Sequence, residues 1–465
     1  MNTPPEPTDK KPWEKPKLTV HRSGLMNKLG ALTQQHWQED IDGVAISELV
    51  EAHGSPLFVL SEQRLRHNVR RLHQVFSHRY PDVQLAWSYK TNYLGAVCNT
   101  FHQEGAWAEV VSAFEYEKAR SLGVPGEHIV FNGPNKQCPI LERAITEGAR
   151  IHIDHMDELY LLETLAQEHG QPVSVGIRLN FDTVYTEPWS RFGFNVESGQ
   201  ALDAAWRIAN SDWLELTALH SHIGTFVLDQ RAYAVQARTM CSFMNHIEEE
   251  IGCRIDTLDI GGGFASSNAL QGIYLPPSQV VPSLEQYAEA VCEPILQATH
   301  GREARGRKRP RLVLETGRAL VDDAESLVAQ VVANKRLADG RRALVLDAGV
   351  NILFTAFWYN HDIKPTRAID GAREETVVYG PLCMNIDVVR ASVMLPPLEV
   401  GDRVVISPVG AYNNTQWLQF IEYRPPVVMI SEGQATVVRS GEDLETVTRL
   451  ERLPDHLRHP WTDET

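Results

Sequence analysis

The feature of this sequence that most constrains its fold is the alternation of short apolar runs with segments of helical periodicity. Apolar runs of strand length, from "LFVL" at 57–60 to "RLVLETG" at 311–317, are separated by amphipathic stretches such as "DELYLLETLAQEHG". Strands and helices that alternate about eight times over roughly 260 residues are typical of a parallel (β/α)8 TIM-like barrel of the α/β class. An open doubly wound sheet is the alternative that the same pattern allows.

The pattern changes after about residue 325, and this change divides the chain into domains. Runs such as "ESLVAQVVANKRL", "RALVLDAGV" and "DRVVISPVGAY" follow one another without intervening helices. They predict a β-rich second domain over 326–455, to which residues of about 21–53 are added. The barrel is assigned to 54–325, and the Pro- and Lys-rich residues 1–20 are predicted to form a disordered tail.

Charge and cysteine spacing exclude several classes of function. The chain carries 44 Lys and Arg against 60 Asp and Glu, a formal net charge of -16, which argues against binding nucleic acid or a membrane surface. The basic run "GREARGRKRPR" at 301–311 is interpreted as an exposed loop. The first thirty residues lack the apolar core of a signal peptide, so a cytoplasmic location is predicted. The six cysteines show no metal-ligand spacing, so no metal site is expected.

One lysine, Lys90, stands at the end of the apolar run "VQLAWSYK". A lysine at the end of a strand is often a side chain that extends to solvent. The alternative is a lysine whose pKa is lowered by burial so that its amine can form a Schiff base with an aldehyde. The residues elsewhere on the predicted barrel rim must decide between the two.

Residues at the carboxyl ends of barrel strands face the active site, so several polar groups are expected on one rim with Lys90. The glycines of "LDIGGGFA" allow backbone N–H groups to approach a phosphate, although such a run is often only a flexible loop. Arg318 can bind phosphate in a bidentate manner, or it can pair with Glu315. His220 and His222 point to the same face of a strand, and one of them is expected to stack on a ligand. An amine, phosphate donors, a flat ring and an acidic partner together fit pyridoxal 5'-phosphate.

These motifs, in this order from about residue 54 to about 450, resemble the fold-type III (alanine racemase-like) pyridoxal-phosphate-dependent decarboxylases, especially the diaminopimelate and ornithine decarboxylases. "SYKTN" resembles the family's cofactor-lysine motif, which implies that Lys90 binds the cofactor. In "AEVVSAFE", Glu109 stands where an aspartate is usual. "LHSHIGT" resembles the histidine motif, which implies that His222 stacks on the cofactor ring and that Thr225 lies near its phosphate.

The remaining cofactor motifs lie further along the chain. "GGGF" matches the phosphate loop, and "ETGR" resembles the family's EPGR with Thr316 in place of proline. The resemblance implies that Glu315 pairs with the pyridine N–H and that Arg318 lies near the phosphate, which Tyr412 of "GAY" also contacts. The predicted cofactor-binding residues are Lys90, His222, Thr225, Gly261, Gly262, Gly263, Glu315, Arg318 and Tyr412.

The motifs of the second domain imply a homodimer with shared active sites. "GPLC" resembles the motif whose cysteine, here Cys383, crosses the dimer interface and protonates the substrate carbon after carbon dioxide leaves. The predicted catalytic residues are therefore Lys90, His222, Glu315 and Cys383. "SRFGF" and the aspartate four residues after Cys383 match a pair that bridges subunits in the family, which implies a bridge between Arg191 and Asp387.

The resemblance fails at the positions that recognise the far end of the substrate. Where diaminopimelate decarboxylases have an arginine in "DAGMNDLIRPALY", this chain reads "DAGVNILFTAFWY" with Thr355, and Met384 stands where a glutamate follows the interface cysteine. Ornithine decarboxylases have aspartates at the position of Met384 and after the tyrosine that aligns with Tyr359, where this chain has Asn360. A distal ammonium in such a pocket would cost a few kcal/mol. The predicted specificity positions are therefore Thr355, Tyr359, Asn360 and Met384.

Elimination therefore predicts decarboxylation of an amino acid other than meso-diaminopimelate, lysine or ornithine. Its distal part is expected to be neutral, bulky or differently charged, as in a conjugated diamino acid of a siderophore or another secondary pathway. A diaminopimelate decarboxylase with another distal anchor, and an amino-acid racemase or epimerase of the same fold, are the alternatives. A catalytically inactive binding protein is a third, but the intact site motifs argue against it.

Overall fold

Parallel strands joined by helices close into a barrel in the computed structural model, which describes residues 37–457. The predicted tail at 1–20 and the first part of the predicted 21–53 segment lie outside the described residues. Within residues 37–457, no helix combines the length and the apolar composition needed to cross a membrane.

The strands and helices of the described residues are as follows. The strands are β1 (Asp40–Ile41), β2 (Val44–Ala45), β3 (Leu57–Ser61), β4 (Val83–Ser88), β5 (Trp107–Val110), β6 (Ile129–Phe131), β7 (Arg150–Ile153), β8 (Val173–Asn180), β9 (Phe194–Asn195), β10 (Leu214–Ser221), β11 (Thr257–Asp259), β12 (Arg311–Leu314), β13 (Glu325–Arg336), β14 (Arg342–Leu346), β15 (Asp362–Pro365), β16 (Glu374–Tyr379), β17 (Val388–Leu395), β18 (Arg403–Ser407), β19 (Val427–Ser431) and β20 (Gln434–Arg439). The α-helices are α1 (Ile46–His53), α2 (Glu62–Ser77), α3 (Gly95–Gln103), α4 (Ala113–Ser121), α5 (Cys138–Thr146), α6 (Met156–His169), α7 (Gln200–Ala209), α8 (Arg231–Glu250), α9 (Pro277–Val280), α10 (Leu284–Ala298), α11 (Arg318–Val321) and α12 (Leu444–Thr448).

The barrel consists of eight parallel strands in the order β4-β5-β6-β7-β8-β10-β11-β12, and β12 pairs with β4 to close it. Helices follow most strands, and their first turns are capped where the sequence supplies the side chains. The side chain of Ser112 caps the start of α4, and Ser283 with Gln286 forms a capping box at the start of α10. The predicted TIM-like barrel is confirmed. The doubly wound alternative is wrong, because an open sheet has two unpaired edge strands and here β12 pairs with β4.

A second sheet lies beside the barrel in the order β17-β16-β14-β13-β3-β19-β20, with β18 paired to β13 and β15. The run "LFVL" belongs here and not to the barrel, although the sequence analysis placed it in the barrel range 54–325. It pairs antiparallel with β13 and parallel with β19. All five residues of β3 are buried, so its apolar run resembles a barrel strand and does not reveal which sheet it joins.

The residues that precede β3 pack on this second sheet. Ile46, Leu49 and Val50 of α1 lie in one apolar cluster with Val59 of β3 and Val328 of β13. The segment before the barrel therefore contributes to the core of the second sheet.

The basic run 301–311 is a loop that leads into β12, but it is not fully exposed. Arg302 is 1% exposed, and its guanidinium lies 2.6 Å from a carboxylate oxygen of Glu248 in α8. Arg307 contacts the same carboxylate. The loop is therefore attached to the barrel by one buried ion pair and one that is partly exposed.

The barrel and the second sheet meet at a buried carboxyl group, Glu325, at the start of β13. Its oxygens accept hydrogen bonds from Asn414 at 2.8 Å and from Asn92, which follows β4, at 3.4 Å. Glu325 is 1% exposed, and burial raises the pKa of its carboxyl to about 8. The group is therefore protonated at neutral pH in the folded protein.

We expect Glu325 to make the stability of the protein depend on pH. A pKa that folding raises favours the folded state fully below the unfolded pKa near 4.5, and this contribution is lost as the pH rises through about 8. Glu325→Gln removes that part of the decrease. Urea unfolding between about pH 5 and about pH 9 measures it, with exposed Glu249→Gln as the control. Equal pH dependence in all three proteins would contradict the prediction.

Candidate active site

The carboxyl ends of the barrel strands open into a cavity of about 880 Å³. The sequence-predicted residues that line it are Lys90, Arg191, His222, Thr225, Gly263, Glu315, Arg318, Tyr359 and Tyr412. The predicted residues that do not line it are Gly261, Gly262, Thr355, Asn360, Cys383, Met384 and Asp387. The rim that the motifs predict is thus brought together, while most of the predicted specificity positions lie elsewhere.

Lys90 follows β4 and pairs with a buried carboxylate. Its Nζ lies 2.8 Å from Oε2 of Glu109, which also accepts the hydroxyl of Ser88 at 2.6 Å. Burial, the largest influence, lowers the pKa of Lys90, but the carboxylates of Glu109 and Glu315 together outweigh it and hold the pKa above its usual value. The expected lowering of this pKa by burial is therefore wrong, because two carboxylates that are distant in the sequence lie beside the amine.

Glu315 lies on the floor of the cavity in a network of hydrogen bonds. Asn132 donates to its Oε1, and Nε2 of His220 lies 3.2 Å from its Oε2. The same amide nitrogen of Asn132 donates to Oε1 of Glu109 at 3.0 Å. One amide group therefore holds two carboxylates in place, and through Glu109 it is connected to Lys90.

His152 fixes the orientation of that amide. The Asn132 nitrogen faces two carboxylates, so its oxygen faces Nδ1 of His152 at 2.8 Å, and this nitrogen must carry the proton. The His152 ring stacks on His220 with centroids 5.0 Å apart and planes 12° apart. Burial holds the pKa of both histidines well below the usual value, so both rings are neutral.

Asn132 and His152 were missed by the sequence analysis. The available signal was their position: Asn132 directly follows β6, and His152 lies within β7, both near the carboxyl ends of predicted barrel strands. Their partnership depends on the register of neighbouring strands, which the sequence alone does not supply.

His222 is held by the glycine loop beneath it. Its Nδ1 accepts the N–H of Gly262 at 3.0 Å, so Nε2 carries the proton of the neutral ring. Burial holds the pKa of His222 well below its usual value. A Cβ at Gly262 would stand 2.4 Å from the backbone oxygen of Glu315, so only glycine allows this close packing. The ring of Trp189 lies 5.1 Å from the His222 ring.

Arg318 places a buried guanidinium at the cavity wall. It is 7% exposed and lies among the rings of Phe226, Tyr359 and Tyr412, with centroid distances of 5.5, 5.1 and 4.7 Å. Its Nη1 has no hydrogen-bond partner within residues 37–457. A buried cation with an unpaired donor requires an anion, and the adjacent cavity is where that anion can bind.

Three of the four predicted specificity positions do not line the cavity of their own chain. Thr355 is 1% exposed, and its hydroxyl lies 2.9 Å from both Asn413 and His361. Asn360 donates its backbone N–H to Ala269, and Met384 packs against the main apolar core. Tyr359 is the predicted specificity residue that lines the cavity.

Asp387, the predicted partner of Arg191 in a subunit bridge, has contacts within its own subunit. This side chain is 2% exposed, and its two oxygens accept the backbone N–H groups of Val350 and Leu382, each at 2.8 Å. Each oxygen of the carboxylate thus accepts one N–H group within its own subunit, and the bridge to Arg191 stays a prediction. Cys383 is exposed and lies outside the walls of the cavity in its own chain.

Comparison with known proteins identifies this arrangement. The family model of the pyridoxal-binding domain of pyridoxal-dependent decarboxylases matches residues 66–322. The chain belongs to this family. It is therefore a pyridoxal-phosphate-dependent amino-acid decarboxylase, a carboxy-lyase, which confirms the predicted enzyme class and cofactor.

Relatives of this decarboxylase cover almost its whole length. A diaminopimelate decarboxylase from Methanothermobacter thermautotrophicus is 28% identical over 427 residues, 90% of this chain and 96% of the relative. The structure of a diaminopimelate decarboxylase from M. jannaschii has a TM-score of 0.81 at 27% identity and covers 90% of this chain and 97% of its own. A lysine/ornithine decarboxylase from Vibrio vulnificus, complexed with putrescine, has a TM-score of 0.69 at 24% identity over 83% and 97% of the two chains, a likeness of fold alone.

The cavity of the decarboxylase fits pyridoxal phosphate in three respects. The unpaired guanidinium of Arg318 matches a phosphate, the ring of His222 offers a flat contact, and Lys90 offers an amine for the aldehyde. Gly263 lines the cavity without a side chain, and a Cβ there would stand 2.3 Å from the oxygen of Gly224. The residues present therefore suit the cofactor that the family uses.

We expect Glu109 to control the protonation of Lys90. Glu109→Gln keeps an acceptor oxygen but removes the negative charge, so the pKa of Lys90 falls and the amine is deprotonated at lower pH. The rate at which cofactor-free protein binds pyridoxal phosphate, followed by absorbance, then rises at lower pH than in the wild type. Exposed Glu127→Gln is the control, and an identical pH midpoint in all three proteins would show that Glu109 does not have this role.

Proposed function

We propose that this decarboxylase removes the α-carboxylate of an amino acid whose distal end carries no ammonium group. The proposal rests on the small number of carboxylates that line the cavity. Among residues 37–457, only Glu109 and Glu315 line it, and both are bound at the floor by Lys90, Asn132 and His220. A distal ammonium would therefore lose its hydration without gaining a partner, at a cost of a few kcal/mol.

The upper walls of the cavity favour a large and uncharged middle section in the substrate. They present the aromatic side chains of Trp189, Phe192, Phe226, Phe357 and Trp358. Such walls stabilise apolar or amide-containing groups by burial. A diamino acid whose distal amine is acylated has this character, because the amide is neutral. This supports the conjugated diamino acid that elimination predicts.

The roles within the site follow from its contacts. Pyridoxal phosphate, when bound, supplies an electron sink for the carbon that loses carbon dioxide. In our proposal Lys90 binds the cofactor aldehyde and Glu315 pairs with the pyridine nitrogen, since its orientation is fixed by Asn132 and His220. Arg318, together with Thr225, Tyr412 and the Gly261–Gly263 loop, binds the phosphate, and His222 packs against the ring.

Diaminopimelate decarboxylation is the second candidate, because the relatives that cover nine-tenths of the chain carry that name. It requires partners for a distal carboxylate and a distal ammonium together. The described cavity walls offer no free carboxylate for the ammonium, which is the reason to rank this function second.

We expect acylated diamino acids to be better substrates than their basic parents. For Nε-acetyl-lysine over lysine, and for Nδ-acetyl-ornithine over ornithine, kcat/KM should be higher by about tenfold or more, because the acylated end needs no carboxylate. Carbon dioxide release from the cofactor-loaded enzyme measures this, with meso-diaminopimelate in the same panel and Lys90→Ala as the inactive control. Efficient turnover of the three basic amino acids would contradict the proposal.

We also propose that the enzyme is a homodimer in which Cys383 of one subunit acts in the active site of the other. The support is that Cys383 is exposed and lies outside the cavity of its own chain, while its motif matches a catalytic one. A thiol in that place donates a proton to the carbon that has lost its carboxylate.

Mixed subunits test this arrangement. Cys383→Ala and Lys90→Ala are each expected to be nearly inactive, whereas an equal mixture, after subunit exchange, regains about a quarter of the wild-type activity. The regain occurs because half of the dimers are mixed and each of these has one intact site. Pyridoxal phosphate binding by Cys383→Ala should match the wild type. A mixture as inactive as its components would place Cys383 and Lys90 in the same subunit's site or exclude Cys383.

A further inference from the structure

We propose that Arg191 binds a carboxylate at the distal end of the substrate. The inference rests on the proposed function and narrows it: the substrate is an amino acid whose distal end is anionic, without an accompanying ammonium. A diamino acid acylated by a dicarboxylic acid meets this description, since it combines a neutral amide with a terminal carboxylate.

The side chains that line the cavity carry more positive than negative charge. Four cationic side chains line the described cavity, those of Lys90, Arg178, Arg191 and Arg318, against the two carboxylates of the floor. The lining histidines are neutral because burial holds their pKa well below the usual value. This excess of positive charge attracts anions, and Arg191 is a lining cation that the proposed phosphate site does not include.

Arg191 has no polar partner among residues 37–457. Arg178 lies 3.7 Å from the carboxylate of Asp154, and Arg318 belongs to the proposed phosphate site. Arg191 makes no ion pair or hydrogen bond within the part of the chain that the structure describes. Asp387, the partner that the motif implies, is bound to the backbone of its own subunit. Within its own described chain, Arg191 is therefore available to an anion in the cavity.

The loop around Arg191 is held in place by hydrogen bonds and close backbone packing. The amide of Asn180 donates to the backbone oxygens of Phe192 and Gly193, at 2.6 and 3.0 Å. Gly193 has a φ of +73°, and a Cβ there would stand 2.5 Å from the backbone oxygen of Arg178. The guanidinium of Arg191 lies 5.1 Å from the Phe192 ring centroid, a cation–π contact that limits its orientations.

The loop also lies beside the cofactor site. Trp189, two residues before Arg191, contacts the ring of His222. Both Trp189 and Arg191 line the same cavity as Lys90. A substrate whose α-carbon is at Lys90 therefore extends along an aromatic wall that carries Arg191.

Two matched substrates test the inference: Nε-succinyl-lysine, which ends in a carboxylate, and its terminal amide, which has the same shape without the charge. The wild type is expected to prefer the carboxylate by about tenfold or more in kcat/KM, mainly through KM, as for a hydrogen bond between charged groups. Arg191→Gln should lose this preference with little change in kcat for the amide. Arg191→Lys should retain part of it, and exposed Arg373→Gln should behave as the wild type.

The outcomes separate this inference from the proposed function. Equal turnover of the two acyl-lysines by the wild type and by Arg191→Gln would overturn the role of Arg191 and leave the proposed function standing. Lysine turned over faster than both would overturn the proposed function itself. Light scattering supplies the remaining test: if Arg191→Gln dissociates the dimer and both substrates lose activity equally, Arg191 is an interface residue and the inference is wrong.

Discussion

Closure of eight parallel strands into one barrel is the constraint on which the rest of the molecule depends. Because every strand of the barrel runs in the same direction, all eight carboxyl ends meet at one rim. Residues separated by more than two hundred positions in the chain, such as Lys90 and Glu315, become neighbours around one cavity. The second sheet then packs beside the barrel and contributes the aromatic residues 357–359 to the same cavity.

The floor of that cavity shows how buried charge is made tolerable. Two carboxylates in a small volume repel each other, and burial penalises each of them. Lys90 compensates one, while neutral donors from Asn132 and His220 satisfy the other without adding charge. His152 adds no charge either, since its role is to orient the amide. The other positive charges of the cavity are the guanidinium groups of its walls.

The sequence was a good guide wherever one local signal determines the structure. Strand and helix periodicity predicted the barrel, and the position after each strand predicted Lys90, His222, Glu315 and Arg318 on one rim. It was a poor guide wherever register or distance in space decides. The strand at 57–60 has the same composition as a barrel strand, and the network of Asn132 depends on which strand ends are adjacent. The raised pKa of Lys90 depends on two carboxylates that no spacing rule connects to it.

The carboxylate of Asp387 has a consequence that extends beyond its own position. Its oxygens hold the backbone at Val350 and Leu382, and a Cβ at either Gly349 or Gly380 would stand within 2.7 Å of it. The two glycines and the aspartate thus pack together and connect the turn at 347–349 to the turn that carries Cys383. A change at any one of the three would displace the thiol without touching it. Gly349, Gly380 and Asp387 therefore have to be kept or redesigned together.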